Sequence, residues 1–184
     1  MFEGKVLGYS YGEVVMHRLA KKTLEDFDWS ENRILALVVS KMVAMDIWSK
    51  GLGLVGWTGV GKTHVLISLY KERMWRAIYK NGQIPAWFSF QDLCSLYYKD
   101  RDGFRDVLLG GIIFVDDLFC KDQSEEEMRV VKELVYYIYD LGKVLCFTSN
   151  VLMDMLDIDE RVKSRLSELV EVVEVFGEDR RKLL

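Results

Sequence analysis

The chain has 184 residues, a formal net charge of −4, 50% hydrophobic and 29% charged residues, which suits one globular domain with a sizeable core. Apolar runs such as residues 34–39 are too short to span a bilayer, and no basic-then-apolar leader opens the sequence, so neither a membrane nor a secreted protein is expected. The acidic balance argues against wholesale electrostatic capture of a duplex, and three cysteines with no C-x-x-C pair suit free thiols in a reducing, cytoplasmic setting.

Residues 52–55 are a short apolar run that leads straight into a glycine-rich stretch, which predicts a buried strand feeding a tight turn. Residues 63–80 then read as a helix, with Leu66, Leu69, Tyr70 and Ala77 at helical spacing and Asn81-Gly82 as its stop. A second strand is expected over 86–90, and two short helical segments over 91–110, hinged near Asp102-Gly103. Residues 112–115 predict a third, fully apolar strand that ends on two acids.

Ser124-Glu125-Glu126-Glu127 has the form of a capping box, in which Ser124 accepts the N3 amide while Glu127 reaches back. Met128, Val131, Val135 and Ile138 follow as one apolar face, and Gly142 closes the helix. Residues 143–148 predict a fourth strand, 159–169 a helix with Val162, Leu166 and Leu169 inward, and 170–175 a fifth strand. Apolar strands alternating with amphipathic helices predict an α/β three-layer fold around a five-stranded parallel sheet. Right-handed crossovers then open the first strand-helix turn at the carboxyl edge of that sheet, where ligands bind.

That turn is Gly56-Trp57-Thr58-Gly59-Val60-Gly61-Lys62-Thr63, which fits the phosphate-binding pattern G-x-x-x-x-G-K-[ST] in full. The glycines let backbone amides approach a β-phosphate, and the helix N-terminus favours its negative charge. Lys62 is placed for the β- and γ-phosphates of ATP, and the Thr63 hydroxyl for Mg²⁺. By composition alone the pattern arises on the order of once in a hundred chains of this length. Its place between a strand and a helix selects the functional reading over a chance glycine turn.

Asp116 and Asp117 close the third strand. There Asp116 is suited to hold Mg²⁺ through water, and Asp117 to orient or deprotonate the attacking water. Alone, a strand ending in a solvated turn would read as well; the upstream phosphate loop favours catalysis. In P-loop ATPases with an extra strand between the nucleotide strand and the acid strand, a polar residue such as Asn150 can touch the γ-phosphate or the water. Arg161 and Arg165 are i and i+4 on the 159–169 helix, so they share a face. They suit an arginine finger acting on a neighbour's site, or else a solvated face with Arg165 paired to Glu168.

These residues together resemble the DnaC/IstB-like helicase-loader AAA+ ATPases, from about Lys22 to the C-terminus. The likeness includes Thr23-Leu24-Glu25-Asp26-Phe27 with Asn32, the phosphate loop followed by His64, and the Asp116-Asp117 pair. It continues through Thr148-Ser149-Asn150, the run 160–166, and the tail Gly177-Glu178-Asp179-Arg180-Arg181. The resemblance implies an AAA+ type P-loop NTPase domain over 22–184, a short N-terminal extension over 1–21, and no full helical lid. It adds His64 to the nucleotide-binding residues 56–63, favours Arg165 as the finger with Arg161 second, and gives Arg181 a γ-phosphate contact in cis. It also implies nucleotide-dependent self-assembly, a replicative helicase as partner, and single-stranded DNA bound through an insertion at 91–110. That insertion carries Tyr97, Tyr98, Lys99, Arg101, Phe104 and Arg105, suited to base stacking and backbone contact, or else to a packing segment with a solvated charged face.

Three other functions share these motifs. A transposase-helper ATPase differs only in the machine it serves. A nucleotide-switched adaptor with negligible turnover is suggested by Asp117, shorter than the glutamate many AAA+ enzymes use. A small-molecule kinase would need a lid and an acceptor pocket.

Overall fold

The computed structural model describes residues 21–80 and 82–179. The expected extension at 1–21 lies, apart from Lys21, outside these residues, as do Asn81 and Arg181. The elements run α1 (Arg33–Ala44), β1 (Gly51–Val55), α2 (Lys62–Lys80), β2 (Pro85–Ser89), α3 (Phe90–Lys99) and α4 (Arg101–Val107). They continue β3 (Ile112–Phe119), α5 (Glu125–Asp140), β4 (Val144–Ser149), a 3₁₀ turn (Met153–Met155), α6 (Glu160–Leu169) and β5 (Val170–Glu174).

All strand pairs are parallel, in the order β2-β3-β4-β1-β5. Strand β4 is therefore inserted between the strand that feeds the phosphate loop and the strand that carries the acids. The two-residue period of the strands divides the core in two. Ile113, Val115, Leu145 and Phe147 face a cluster built with α3, α4, α5 and α6. Ile112, Phe114, Val144 and Cys146 face the cluster built with α1 and α2. Burial on both faces explains why β3 and β4 open as continuous apolar runs.

Local chemistry starts and stops the helices as the sequence implies. Ser124 Oγ accepts the Glu127 amide at 3.2 Å while the Ser124 amide donates to Glu127 Oε2 at 2.8 Å, closing the capping box of α5. Val130, Val131, Leu134, Val135 and Ile138 are then buried on one face, each contributing about 1.5–3 kcal/mol through the area it removes from water. Gly142 ends the helix in the left-handed region at φ 60°.

A buried arginine fixes the turn between α1 and β1. Arg73 donates from Nη2 to the carbonyls of Met42 and Met45, both at 2.7 Å, and from Nη1 to that of Asp46 at 3.0 Å. Its guanidinium lies 4.1 Å from the Trp48 ring centre. Burial pulls its pKa down to about 10, so it stays charged at neutral pH and its donors remain available to those carbonyls.

Three expectations change. Strand β3 does not end on the acids: it runs on to Phe119, because Leu118 and Phe119 are buried and Phe119 pairs again with Ser149 after a register shift. The break between α3 and α4 is at Asp100, not Asp102-Gly103, since the Asp100 carboxylate caps α4 by accepting the Gly103 amide at 2.9 Å. Phe90 opens α3 and does not close β2, because Ser89 caps that helix through the Asp92 amide. Among the described residues no helix is long and apolar enough to cross a membrane.

Candidate nucleotide-binding site

The phosphate loop leaves β1 at the carboxyl edge of the sheet and enters α2 at Lys62. Gly59 and Gly61 sit at φ 89° and 101°, which a side chain disfavours. A Cβ on Gly61 would come within 2.8 Å of Phe27, so the lead-in segment packs directly on the loop. His64 reinforces that contact: its Nε2 lies 2.7 Å from the Thr23 carbonyl, and its ring meets Phe27 edge-on at 5.5 Å. The His64 side chain thus ties the loop's helix to the lead-in. On the other side, the Asp179 carboxylate occupies the space a Gly59 Cβ would take.

Lys62 is buried, and its ammonium curls back over the loop. It donates to the carbonyls of Gly56 and Trp57 and to Asn150 Oδ1, each at 2.8 Å. Asn150 in turn donates from Nδ2 to Asp117 Oδ1 at 3.1 Å. One continuous relay therefore connects the loop lysine on α2, the polar end of β4 and the second acid of β3.

Asp116 anchors a second network. Its Oδ1 accepts the Thr63 hydroxyl at 2.9 Å and the Thr148 hydroxyl at 2.6 Å. Burial, followed by the neighbouring Asp117, outweighs those donors and pushes the Asp116 pKa upward. Asp117 itself is exposed and held at φ 56°, outside the region most residues adopt. Its amide donates to Thr148 Oγ1 at 2.8 Å.

The donor set fits a hard cation beside a polyphosphate. Thr63 and Asp116 offer oxygens on one side of the loop, and an ionised carboxylate held short of ease gains from a nearby cation. Among the described residues no group of three or more His, Cys, Asp or Glu could hold a metal alone. Mg²⁺ characteristically shares its shell between one or two protein oxygens, water and phosphates.

The two arginines separate. Arg165 Cζ lies 3.9 Å from the Tyr136 ring centre and 4.8 Å from that of Tyr139, with Asp140 at 3.9 Å. Its expected partner Glu168 instead accepts the Tyr139 hydroxyl at 2.8 Å. The Arg161 side chain is exposed, and among the described residues its guanidinium has no ion pair; only its amide is bonded, to Asp159 at 2.8 Å.

Within 91–110, Tyr97 and Phe104 are buried against each other at 5.1 Å, so neither ring is open to a base. Arg101 lies over Tyr97 at 3.6 Å. Tyr98, Lys99, Arg101 and Arg105 are exposed. Trp57 is 79% exposed at the loop's outer edge.

Sequence reasoning did not assign roles to Thr148 or to Asn32's long-range contact. Asn32 is buried and forms a two-point clamp on Phe176, donating to its carbonyl and accepting its amide, both at 2.9 Å. The available signal for Thr148 was its position near the end of β4, two residues before Asn150.

No protein-family model matches this sequence, and no curated protein matches it as a relative. Solved structures do. The chain is similar to the DnaC helicase loader over 88% of this chain and 100% of that one, with 24% identity and a TM-score of 0.71. It is similar to DnaI over 90% and 94%, with 22% identity and a TM-score of 0.72. AMPPCP-bound DnaA from Aquifex aeolicus matches over 89% of this chain and 53% of that one, at 25% identity and a TM-score of 0.65. The fold is that of the AAA+ P-loop NTPases, shared with helicase loaders and replication initiators, which bears out the resemblance read from the motifs at the level of architecture.

Proposed function

We propose that this chain is an ATP-binding and ATP-hydrolysing AAA+ protein of the DnaC/IstB-like kind that assists DNA replication by loading or remodelling a replicative helicase on single-stranded DNA. The observation that carries the reading is the relay of Lys62, Asn150 and Asp117 beside the bond from Thr63 to Asp116, built from β3, the end of β4 and the loop helix. The exposed Asp117 carboxylate, held at φ 56° beside the phosphate loop, supports a functional use of that conformation. The fold neighbours support the reading, one of them bound to AMPPCP and single-stranded DNA.

In this reading the loop amides at 56–63 receive the phosphates, and Lys62 exchanges its carbonyl partners for phosphate oxygens. Thr63 and Asp116 would hold Mg²⁺, which would supply neutralisation of the phosphate charge. Asp117, oriented by Asn150, positions water for in-line attack and accepts its proton. Water adds to the γ-phosphorus, and ADP leaves. As the finger from a neighbouring copy we place the exposed Arg161 ahead of Arg165, which the resemblance favoured and which here lies over two tyrosines. Arg181 is proposed to contact the γ-phosphate in cis. Tyr98, Lys99, Arg101 and Arg105 offer one aromatic face and three cations to a single strand.

Single-turnover hydrolysis with and without single-stranded DNA tests this in wild type, Lys62→Ala and Asp117→Asn. Loss of nucleotide binding in the first variant, and of turnover alone in the second, is expected. A second reading, the nucleotide-switched adaptor, is favoured by Asp117 being already held by Asn150. It wins if wild type and Asp117→Asn turn over equally slowly. Pull-down of a replicative helicase, with a transposase as comparison, tests the partner.

A further inference from the structure

The acid pair lies in an irregular part of β3. That strand advances from Val115 to Phe119 while its partner β4 advances only from Phe147 to Ser149. The extra residues bulge towards the site, and the ladder that would pair their backbone is interrupted. Thr148 is the residue of β4 that faces this interruption. Its hydroxyl accepts the Asp117 amide at 2.8 Å and donates to Asp116 Oδ1 at 2.6 Å.

The polarity of this bridge is fixed by chemistry. An amide can only donate and a carboxylate can only accept, so the single hydroxyl proton must point at Asp116. The shorter contact is in the range of a charge-assisted bond. Thr148 is 0% exposed, so its hydroxyl is closed to solvent and serves these two partners.

We propose that Thr148 is a positioning residue of the ATP site, whose one oxygen sets the Asp116 carboxylate and the Asp117 backbone in a fixed mutual geometry. It takes the place of the missing ladder bond at the bulge and holds Asp117 in its left-handed conformation, from which the side chain reaches Asn150. The same bond orients the carboxylate oxygen that also accepts Thr63. This rests on the ATPase reading above, and only a hydroxyl at this position performs both tasks.

The test compares Thr148→Val with Thr148→Ser. Valine keeps the β-branched shape suited to a buried strand, and serine keeps the oxygen. In nucleotide-free, metal-free protein, exchange of the Asp117 amide read by NMR should accelerate in the valine variant and return to the wild-type rate in the serine variant. With ATP, kcat should fall on the order of a hundredfold, the scale for displaced catalytic groups. KM for ATP should change less than about threefold, because the phosphate loop is untouched. The Mg²⁺ concentration for half-maximal turnover should rise in the valine variant only. Unchanged Asp117 exchange in Thr148→Val overturns the proposal, as does failure of serine to restore kcat. Thr148→Ala is read identically if valine disturbs folding by circular dichroism. Wild type that neither binds nor hydrolyses ATP overturns the functional reading instead, while the exchange comparison still reports on the bridge.

Discussion

The two arginines of α6 give opposite expectations when each is truncated. Arg165 stacks over Tyr136 at 3.9 Å and Tyr139 at 4.8 Å and keeps a long contact with Asp140 at 3.9 Å. Two cation–π contacts at a partly exposed site contribute about 0.5–1 kcal/mol each, and an exposed ion pair at that distance adds little. Arg165→Ala should therefore cost about 1–2 kcal/mol, a Tm fall of roughly 2–8 °C for a domain of this size. Arg161→Ala breaks no side-chain hydrogen bond or ion pair among the described residues and should stay within about 0.5 kcal/mol of wild type. In the assembled protein the order reverses. Loss of a trans finger lowers turnover by about a thousandfold, so Arg161→Ala should lose assembly-dependent hydrolysis while Arg165→Ala keeps most of it. The assay is steady-state turnover across a protein concentration series, paired with thermal melts of each variant. Mixing Arg161→Ala with Lys62→Ala should restore one working interface. Full turnover in assembled Arg161→Ala, together with a dead but normally melting Arg165→Ala, would refute the argument.

Asp116→Asn should raise the Tm at neutral pH and abolish the Mg²⁺ dependence of nucleotide binding. Burial raises the Asp116 pKa in the fold, so the folded chain holds that proton more tightly than the unfolded one. The destabilisation it causes is present above the folded pKa and relieved as pH falls through it. The Tm gap between variant and wild type should therefore narrow on acidification, and a gap that widens would contradict the assignment. Asn32→Ala removes both bonds to the Phe176 backbone at 2.9 Å and leaves a gap where a buried side chain stood. A loss of about 2–3 kcal/mol in urea melts is expected, with faster amide exchange where the chain leaves β5.

How much was legible before the structure depended on the range of each interaction. The helix of α5 was readable because its capping box spans four consecutive residues and its apolar face repeats every turn. The acids were readable as a pair, but not the bulge that carries them, because the register shift depends on where Phe119 meets Ser149 thirty residues away. By composition Tyr97 and Phe104 suited either stacking or packing, and α3 and α4 decide it by turning both rings into the core. Arg165 could be placed on a face by its spacing from Arg161. That the face meets Tyr136 and Tyr139 follows only from how α6 lies against α5.

The sequence by itself determined the phosphate loop at 56–63, since a glycine-rich turn between a strand and a helix is a local matter of allowed φ, amide direction and one lysine. It likewise determined the alternation of apolar strands and amphipathic helices from which a parallel sheet follows. Tertiary structure alone decided how the polar groups at that loop bond to one another, and added Thr148 to them. Lys62, Asn150, Asp117, Thr148, Asp116 and Thr63 lie on segments far apart in the chain, and they converge because β4 is inserted between β1 and β3. Strand order is set by the burial of two whole faces at once, a collective property that no local pattern encodes.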